Sequence, residues 1–142
     1  MNNKIRVFFT KLFLHFIMNN PLCTSKIRRL ALKLCGAKIG KGTFIGQNVY
    51  FDYLKIQNIE IGKNCVITQN CSLLTHFYSL DKKFYFGNIK IGDNVFIGMN
   101  TIICKPVTIG DNVVVGAGSI ITKDIQENSF AAGNPCKIIK QL

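Results

Sequence analysis

His76 is the residue in this chain best suited to proton transfer. The sequence has only two histidines, and the other, His15, lies in an apolar N-terminal stretch. An unperturbed imidazole titrates near pH ~6.5, so a histidine can accept a proton from a hydroxyl at neutral pH and later return it. A structural histidine at a loop edge, hydrogen-bonded to backbone, is equally consistent with the residue type alone. The choice between these roles depends on the elements that position His76.

Six hexads in register follow His76 in the sequence. Four of the six lead residues are followed by glycine, and the fifth position of each hexad is mostly small or β-branched. A period of six fits neither the 3.6-residue repeat of a helix nor the two-residue alternation of a simple strand. It is typical of a chain that turns a corner every six residues, so the sequence predicts an all-β solenoid, a parallel β-helix. The lead residues are all β-branched: Ile91, Ile97, Ile103, Ile109, Val115 and Ile121.

The repeat is interrupted twice before these hexads. Its phase is lost between Phe51 and Ile61, and residues 75–88 do not fit it, because Ser79 and Tyr85 occupy the lead positions and charged residues lie between them. We expect residues 75–88 to form a loop that is extruded from the solenoid. Loops held at both ends by a rigid scaffold often carry function. The β-helix domain is predicted to span residues 37–140.

A basic, amphipathic leader, residues 1–36, precedes the repeat. Apolar side chains recur at helical spacing over residues 3–18, and a second basic helix is predicted from Ser25, as its cap, to Leu34. The apolar stretch is too short to span a membrane. The leader, residues 3–34 in particular, could cap the open end of the solenoid or make a peripheral contact with a membrane. The sequence favours neither interpretation.

The charge of the chain is concentrated at its N-terminal end. Residues 1–51 carry nine Lys or Arg and no Asp or Glu, whereas the remainder carries nine basic and seven acidic residues. Such a segment is expected to contact an anionic partner. No nucleic-acid-binding motif is present, so anionic lipid is the better candidate. The six cysteines show no CxxC pair and no metal-finger spacing, and we interpret them as reduced core residues of a cytoplasmic protein.

The C-terminal hexads carry a family resemblance. Residues 91–95 (IGDNV), 115–119 (VGAGS) and 132–135 (AGNP) resemble the hexapeptide-repeat acyltransferases. The likeness is closest to the sugar O-acetyltransferases of the maltose and galactoside type and to their capsule and exopolysaccharide relatives. The resemblance implies a left-handed β-helix and a homotrimer with active sites between its subunits. It also implies acetyl-CoA as the donor, and no metal ion.

The resemblance also implies roles for individual residues on the acceptor side. His76 would be the general base that accepts the proton of a sugar hydroxyl during direct transfer, without an acyl-enzyme. Asp52 would hold the acceptor or orient the histidine of an adjoining subunit, although an aspartate here could equally favour a turn. The rings of Tyr53, Tyr78 and Tyr85 could stack on the acceptor or fill the core of the extruded loop.

The donor site is expected along the C-terminal hexads. The resemblance implies that Ala117 and Thr122 line the pantetheine arm of acetyl-CoA, where small residues leave the backbone accessible. The CoA phosphates would be met by lysines, although most lysines are ordinary solvated surface. These lysines are Lys123, Lys137 and Lys140.

Met99 occupies the position that the resemblance implies for a contact with the reaction's oxyanion. Its side chain is no hydrogen-bond donor, so it can offer only its backbone N–H.

The resemblance as a whole leads us to expect O-acetylation of a saccharide or lipid-linked saccharide in surface polysaccharide assembly, in the cytoplasm or at the inner face of its membrane. Two alternatives stay open: an amino-sugar N-acetyltransferase, and a catalytically silent trimeric β-helix that serves as a scaffold or membrane-surface binding module.

Overall fold

The computed structural model describes residues 3–142, which form two helices followed by sixteen short strands. Helix α1 spans Asn3–Asn19 and helix α2 spans Ser25–Leu34. The strands are β1 (Lys38–Ile39), β2 (Phe44–Ile45), β3 (Tyr50–Phe51), β4 (Ile59–Ile61), β5 (Val66–Ile67), β6 (Ser72–Leu73), β7 (His76–Tyr78), β8 (Phe84–Phe86), β9 (Ile89–Ile91), β10 (Phe96–Ile97), β11 (Ile102–Ile103), β12 (Thr108–Ile109), β13 (Val114–Val115), β14 (Ile120–Ile121), β15 (Ser129–Ala132) and β16 (Lys137–Gln141).

The strands stack into three parallel sheets that the chain visits in turn. Sheet A contains β1, β4, β9 and β12, and sheet C contains β3, β6, β11 and β14. Sheet B contains β2, β5, β10, β13 and β15, with β16 added antiparallel at its end. Each passage through the three sheets is one coil, and adjacent coils lie about 4.8 Å apart. The predicted parallel β-helix is confirmed.

The hexad leads fill the interior of this solenoid. Ile97, for example, pairs with Ile67 in the coil before and with Val115 in the coil after, and all three side chains are fully buried. Val95, Thr101 and the other fifth-position residues are buried as well. Each buried aliphatic side chain contributes about 1.5–3 kcal/mol of transfer free energy, so the stacked columns account for most of the core. The cysteines are free thiols, and Cys65 and Cys71 lie in the interior as expected.

Three kinds of corner join the sheets. The A–B corner comprises residues 40–43, 62–65, 92–95, 110–113 and 126–128. The B–C corner comprises residues 46–49, 68–71, 98–101 and 116–119. The C–A corner comprises residues 52–58, 74–88, 104–107 and 122–124. Both interruptions of the repeat fall at the C–A corner, where residues 52–58 contain a 3₁₀ turn and residues 76–86 form a hairpin of β7 and β8.

Glycine and asparagine recur at the A–B and B–C corners. Asparagines take the left-handed conformation, which asparagine tolerates better than most residues. At the A–B corner the amides of Asn94, Asn112 and Asn128 form a hydrogen-bonded ladder from coil to coil, with N–O distances of 3.2 and 2.9 Å. The left-handed asparagines of the two corners are Asn48, Asn64, Asn70, Asn94, Asn100, Asn112 and Asn128, with φ between 53° and 60°.

The leader helices close the first coil. Ala31 and Leu32 of α2 are buried, and α1 contributes Leu14 and Met18 to the same core. Ser25 does not cap α2 as predicted, because its hydroxyl instead accepts a hydrogen bond from the backbone N–H of Ile45, at 2.8 Å. No helix in the described part of the chain is long and apolar enough to cross a membrane.

Candidate active site

His76 is held by the carboxylate of Asp52 from the same chain. His76 Nδ1 lies 2.6 Å from Asp52 Oδ2. The same oxygen accepts hydrogen bonds from the Thr75 backbone N–H, at 3.0 Å, and from the Thr75 hydroxyl, at 2.6 Å. Leu54 donates its backbone N–H to the other oxygen, Asp52 Oδ1, at 3.1 Å. Asp52 and His76 follow neighbouring strands of sheet C, so the stacking of coils one and two at the C–A corner brings them together.

The surroundings of Asp52 favour its ionised form. Burial of the carboxyl acts to raise its pKa, but hydrogen bonds from the side chains of Thr75 and His76 and from two backbone N–H groups outweigh burial, so the pKa lies below its ordinary value. An ionised carboxylate can only accept hydrogen bonds. His76 must therefore carry its proton on Nδ1, which leaves the lone pair of Nε2 free to accept another proton.

This position differs from the one predicted for Asp52. Its side chain is fully buried, with no exposed surface to contact an acceptor. The residue also serves its own chain's histidine rather than that of an adjoining subunit. The sequence could not supply this partner, because the register of the first two coils depends on how residues 52–58 leave the repeat. Thr75, which fixes the carboxylate, was missed for the same reason.

The extruded hairpin divides the predicted tyrosines between its two faces. His76 pairs with Phe86 and Tyr78 with Phe84, and since side chains alternate along a strand, these four lie on one face. The His76 ring lies 5.6 Å from the Phe86 ring and 6.0 Å from the Phe84 ring. Neither phenylalanine was anticipated as a neighbour of His76. The exposed aromatic surface beside His76 is the kind on which a sugar ring can stack.

Tyr85 lies on the opposite face of the hairpin from His76. Its ring stacks on Phe77 at 5.5 Å, and its hydroxyl donates a hydrogen bond to Asp81 at the hairpin tip, which raises the pKa of the tyrosine. Lys105 also lies over Phe77, with Nζ 5.8 Å from the ring centre. The Tyr85 ring thus packs within the hairpin, on the face opposite His76, and its contact with the acceptor stays a prediction.

Tyr53 lies against helix α1. The Lys11 ammonium sits 5.3 Å from the centre of the Tyr53 ring, and Tyr50 packs edge-on at 6.2 Å. Burial of Tyr50 and the nearby side chains of Tyr53 and Asp52 raise the pKa of Tyr50 to about 12, so its hydroxyl stays protonated. A cleft of about 100 Å³ opens here between α1 and the first coil, with Leu14 at its base. Tyr53 is therefore one residue from Asp52 but turned toward the leader.

The predicted donor residues fall at two different corners. Met99 and Ala117 lie at the B–C corner, where the Gly118 N–H donates a 2.7 Å hydrogen bond to the Met99 carbonyl. Thr122 and Lys123 lie at the C–A corner, the corner that also carries His76 but two coils further along. Sheet C separates the two corners within one chain. The Met99 backbone N–H has no acceptor within residues 3–142, so it can still serve as a donor to a ligand.

Lys137 and Lys140 are exposed on the terminal strand β16. Lys137 pairs with Ala132 and Lys140 with Phe130, so this strand runs away from the B–C corner along the end of sheet B. Lys137 is thus close to the corner that holds Ala117, whereas Lys140 is further from it. Neither lysine has a carboxylate partner among residues 3–142.

Comparisons with known proteins agree with this arrangement. The pattern of the bacterial transferase hexapeptide family (six repeats) matches residues 88–123, and that of the hexapeptide repeat of succinyl-transferase matches residues 36–74. Protein CapG from Staphylococcus aureus is 40% identical over 93% of this chain and 78% of its own length. The chain belongs to the hexapeptide-repeat acetyltransferase family. The predicted family resemblance is confirmed.

Two further relatives indicate the branch of the family. The putative acetyltransferase YvoF from Bacillus subtilis is 40% identical over 72% of this chain, which spans only 59% of the length of YvoF. A galactoside acetyltransferase whose structure was solved in complex with coenzyme A is 30% identical, with a TM-score of 0.74 over 98% of this chain and 82% of that chain. The chain is thus similar to an acetyltransferase of the galactoside type that binds coenzyme A.

Proposed function

We propose that this protein transfers an acetyl group from acetyl-CoA to a hydroxyl of a saccharide, with His76 as the general base. The contact between His76 Nδ1 and Asp52 Oδ2 carries the proposal, because it leaves Nε2 free to accept a proton and faces the imidazole with a carboxylate that stabilises the resulting cation. The family relationship to a galactoside acetyltransferase supports the choice of donor and acceptor.

The reaction follows from these positions. The sugar oxygen attacks the acetyl carbonyl carbon while its proton passes to His76 Nε2, so a carbon–oxygen bond forms and a negative charge develops on the carbonyl oxygen. The Met99 backbone N–H supplies one donor to that oxygen. When the tetrahedral intermediate collapses, the carbon–sulfur bond breaks and His76 returns the proton to the CoA sulfur. No acyl-enzyme forms.

The complete site requires more than one copy of the chain. His76 lies at the C–A corner, whereas Met99 and Ala117 lie at the B–C corner, with a whole sheet between them. A homotrimer would set the C–A corner of one subunit against the B–C corner of the next, and would so join the base to the donor groove. Ala117, Thr122 and Lys123 would then contact CoA, with Lys137 and Lys140 near its phosphates.

The acceptor is proposed to be a saccharide or lipid-linked saccharide of surface polysaccharide assembly, acetylated in the cytoplasm at the membrane. The exposed rings on the His76 face of the hairpin, Tyr78 among them, support a sugar as the ligand. Transfer to an amino group is the second candidate, since the same base could deprotonate an amine. An O-linked or an N-linked acetyl group in the product distinguishes the two candidates.

The test is acetyl transfer measured by mass spectrometry, with acetyl-CoA and a panel of sugars, nucleotide sugars and lipid-linked saccharides. His76→Ala is expected to lower kcat by about 10²–10⁴-fold, since that is what general base catalysis contributes. His15→Ala, which changes the only other histidine, serves as the matched control and is expected to retain activity. Equal activity in wild type and His76→Ala would refute the proposal, and failure of the wild type to bind acetyl-CoA would favour the silent scaffold.

Subunit mixing tests whether the site is shared. His76→Ala removes the base, and Ala117→Trp would block the donor groove at the other corner. Co-refolded hetero-oligomers of these two inactive variants are expected to regain activity, because one interface then combines an intact His76 with an intact Ala117. Absence of any recovery, with mixed oligomers present by mass, would contradict a site built between copies.

A further inference from the structure

The outer surface of the leader is apolar, although the helices that form it are firmly attached to the solenoid. Phe8 and Phe16 of α1 are 61% and 65% exposed, and Leu22 in the turn between the helices is 86% exposed. We call this surface the leader face. Its residues are Ile5, Phe8, Phe9, Leu12, Phe13, Phe16, Leu22, Ile27, Leu30 and Leu34, each at least 43% exposed. Apolar side chains clustered on one surface in this number mark a binding site.

Capping of the solenoid does not use the leader face. The first coil is closed by Leu14 and Met18 of α1 and by Ala31 and Leu32 of α2, all of which point away from the leader face and are buried. On a helix of 3.6 residues per turn, Leu14 and Met18 lie on the side opposite Phe9 and Phe13. The interpretation that the leader only hides the end of the core therefore leaves the exposed phenylalanines without a role.

The orientation of the leader face is fixed by a buried arginine. Arg28 of α2 is 6% exposed, and its guanidinium donates hydrogen bonds to the Asn20 carbonyl at the end of α1, at 3.1 Å, and to the Ile45 carbonyl of the solenoid, at 3.5 Å. One side chain thus joins both helices to the first coil. The apolar residues therefore stay on the outside.

The charge around the leader face selects the kind of partner. Lys26 and Lys33 are exposed on α2, and the first 51 residues contain nine basic and no acidic residues. A second copy of the same face would bring like charges together, which disfavours a face-to-face contact. A bilayer with anionic headgroups matches both features at once, because its acyl region accepts the apolar side chains and its headgroups attract the lysines.

We propose that the leader face is a docking surface for anionic lipid, on which α1 and α2 lie in the plane of the membrane interface without crossing it. The proposal does not depend on acetyl transfer. It does place the first two coils, and with them Asp52 and His76, at the membrane end of the solenoid. A lipid-linked saccharide would then reach His76 without leaving the bilayer.

The experiment is flotation of the full-length protein on vesicles of phosphatidylcholine with and without phosphatidylglycerol. Wild type is expected to float with the anionic vesicles, and to be released as salt screens the lysines. Phe8→Ser/Phe16→Ser is expected to reduce partitioning about tenfold or more, because two large apolar side chains are lost from the buried surface. Phe84→Ser on the hairpin is the matched control, since Phe84 is 63% exposed but lies outside the leader face.

Three results would overturn the proposal. The first is that wild type does not float with any vesicle. The second is that Phe8→Ser/Phe16→Ser floats to the same extent as wild type and Phe84→Ser. The third result is a fall in molecular mass of the double variant by light scattering, because the leader face would then be an interface between copies. Loss of flotation at an unchanged mass supports docking to lipid, whatever the acetyltransferase assay gives.

Discussion

The A–B and B–C corners differ from the C–A corner in how closely successive coils pack there. At the first two, the glycine that opens most of the turns lies so close to the next coil that no larger side chain fits at that position. A Cβ on Gly98, for example, would lie 2.5 Å from the backbone nitrogen of Ala117 in the next coil. At the C–A corner the chain leaves the stack twice, once for a 3₁₀ turn and once for the hairpin, and places Asp52 and His76 there.

From this difference we expect substitutions at the two kinds of corner to have different effects, on stability in one case and on activity in the other. The regular corners use their backbone and amide groups to hold the coils together, so a substitution at one of their close-packed glycines is expected to cost stability. The extra residues of the C–A corner do not have to pack against the next coil, since they make hydrogen bonds with one another, such as the one from the Gly87 N–H to the Thr75 carbonyl at 2.9 Å. A substitution at Asp52 or His76 is expected to affect activity more than stability.

The largest effect is expected from Asp52→Asn, which keeps the shape of the side chain but removes its charge. Without an acceptor-only carboxylate, His76 can put its proton on Nε2, where it blocks the base. We expect kcat/KM for acetyl transfer to fall about a hundredfold or more. Asp81→Asn is the matched control, because Asp81 contacts Tyr85 on the far face of the hairpin. An Asp52→Asn enzyme as active as Asp81→Asn would show that the contact has no catalytic role.

The next effect is expected at a regular corner, from Gly98→Ala. The added methyl group would meet the Ala117 nitrogen at 2.5 Å and its Cα at 2.7 Å, both backbone atoms that cannot move without displacing a coil. We expect a loss of about 3 kcal/mol in the free energy of unfolding, measured by denaturant titration. An unchanged free energy of unfolding would mean that close packing does not exclude a larger residue at Gly98, and would contradict the proposed difference between the corners.

A pH-dependent effect on stability is expected at the C–A corner. The native pKa of Asp52 is lowered, so Asp52 contributes stability above its unfolded pKa of ~3.9, and the contribution is lost as the pH falls through the native value. The difference in unfolding free energy between wild type and Asp52→Asn should therefore be constant near neutral pH and should narrow in acid. A difference that grows in acid would mean that the carboxyl is protonated in the folded protein.

The smallest effect is expected at Gly118, where only the backbone conformation is demanding. Gly118 has φ +71°, no atom lies within 4 Å of the point where a Cβ would stand, and the equivalent residue in earlier coils is Asn48, Asn70 or Asn100. Gly118→Ala is expected to cost about 1 kcal/mol, whereas Gly118→Asn should change stability by less than about 0.5 kcal/mol. Equal costs for the two variants would mean that sterics, not φ, govern the position.

The sequence predicted the core and the place of the irregularities well. A six-residue period of β-branched side chains has no other common solution, so Ile91 and its equivalents were correctly interpreted as the repeat of a β-helix, and their side chains fill its interior. The extruded loop was recognised because residues 77–86 break that pattern. The asparagine ladder was not anticipated, because the sequence gives no direct sign of which asparagines adopt positive φ.

The site could be predicted only in part. His76 was singled out by its chemistry, but its partner Asp52 lies 24 residues earlier and meets it through the register of two irregular coils. Two roles stayed open for Tyr85, stacking on the acceptor or filling the core of the loop, because periodicity does not say which face of the hairpin a ring occupies. The apolar stripe of α1 was recognised correctly, yet the sequence could not tell that Leu14 and Met18 would do the packing and leave Phe8 and Phe16 outside.

The most direct test of the Asp52–His76 pair is the tautomer of His76, measured by ¹⁵N-edited NMR on protein labelled at histidine. The chain has only two histidines, so His15→Gln assigns the spectrum. In its neutral form the His76 ring is expected to carry its proton on Nδ1 rather than on Nε2, and Asp52→Asn should abolish that preference. A wild-type ring protonated on Nε2 and bare on Nδ1 would contradict the hydrogen bond to Asp52, and with it the assignment of His76 as a base that is ready to act.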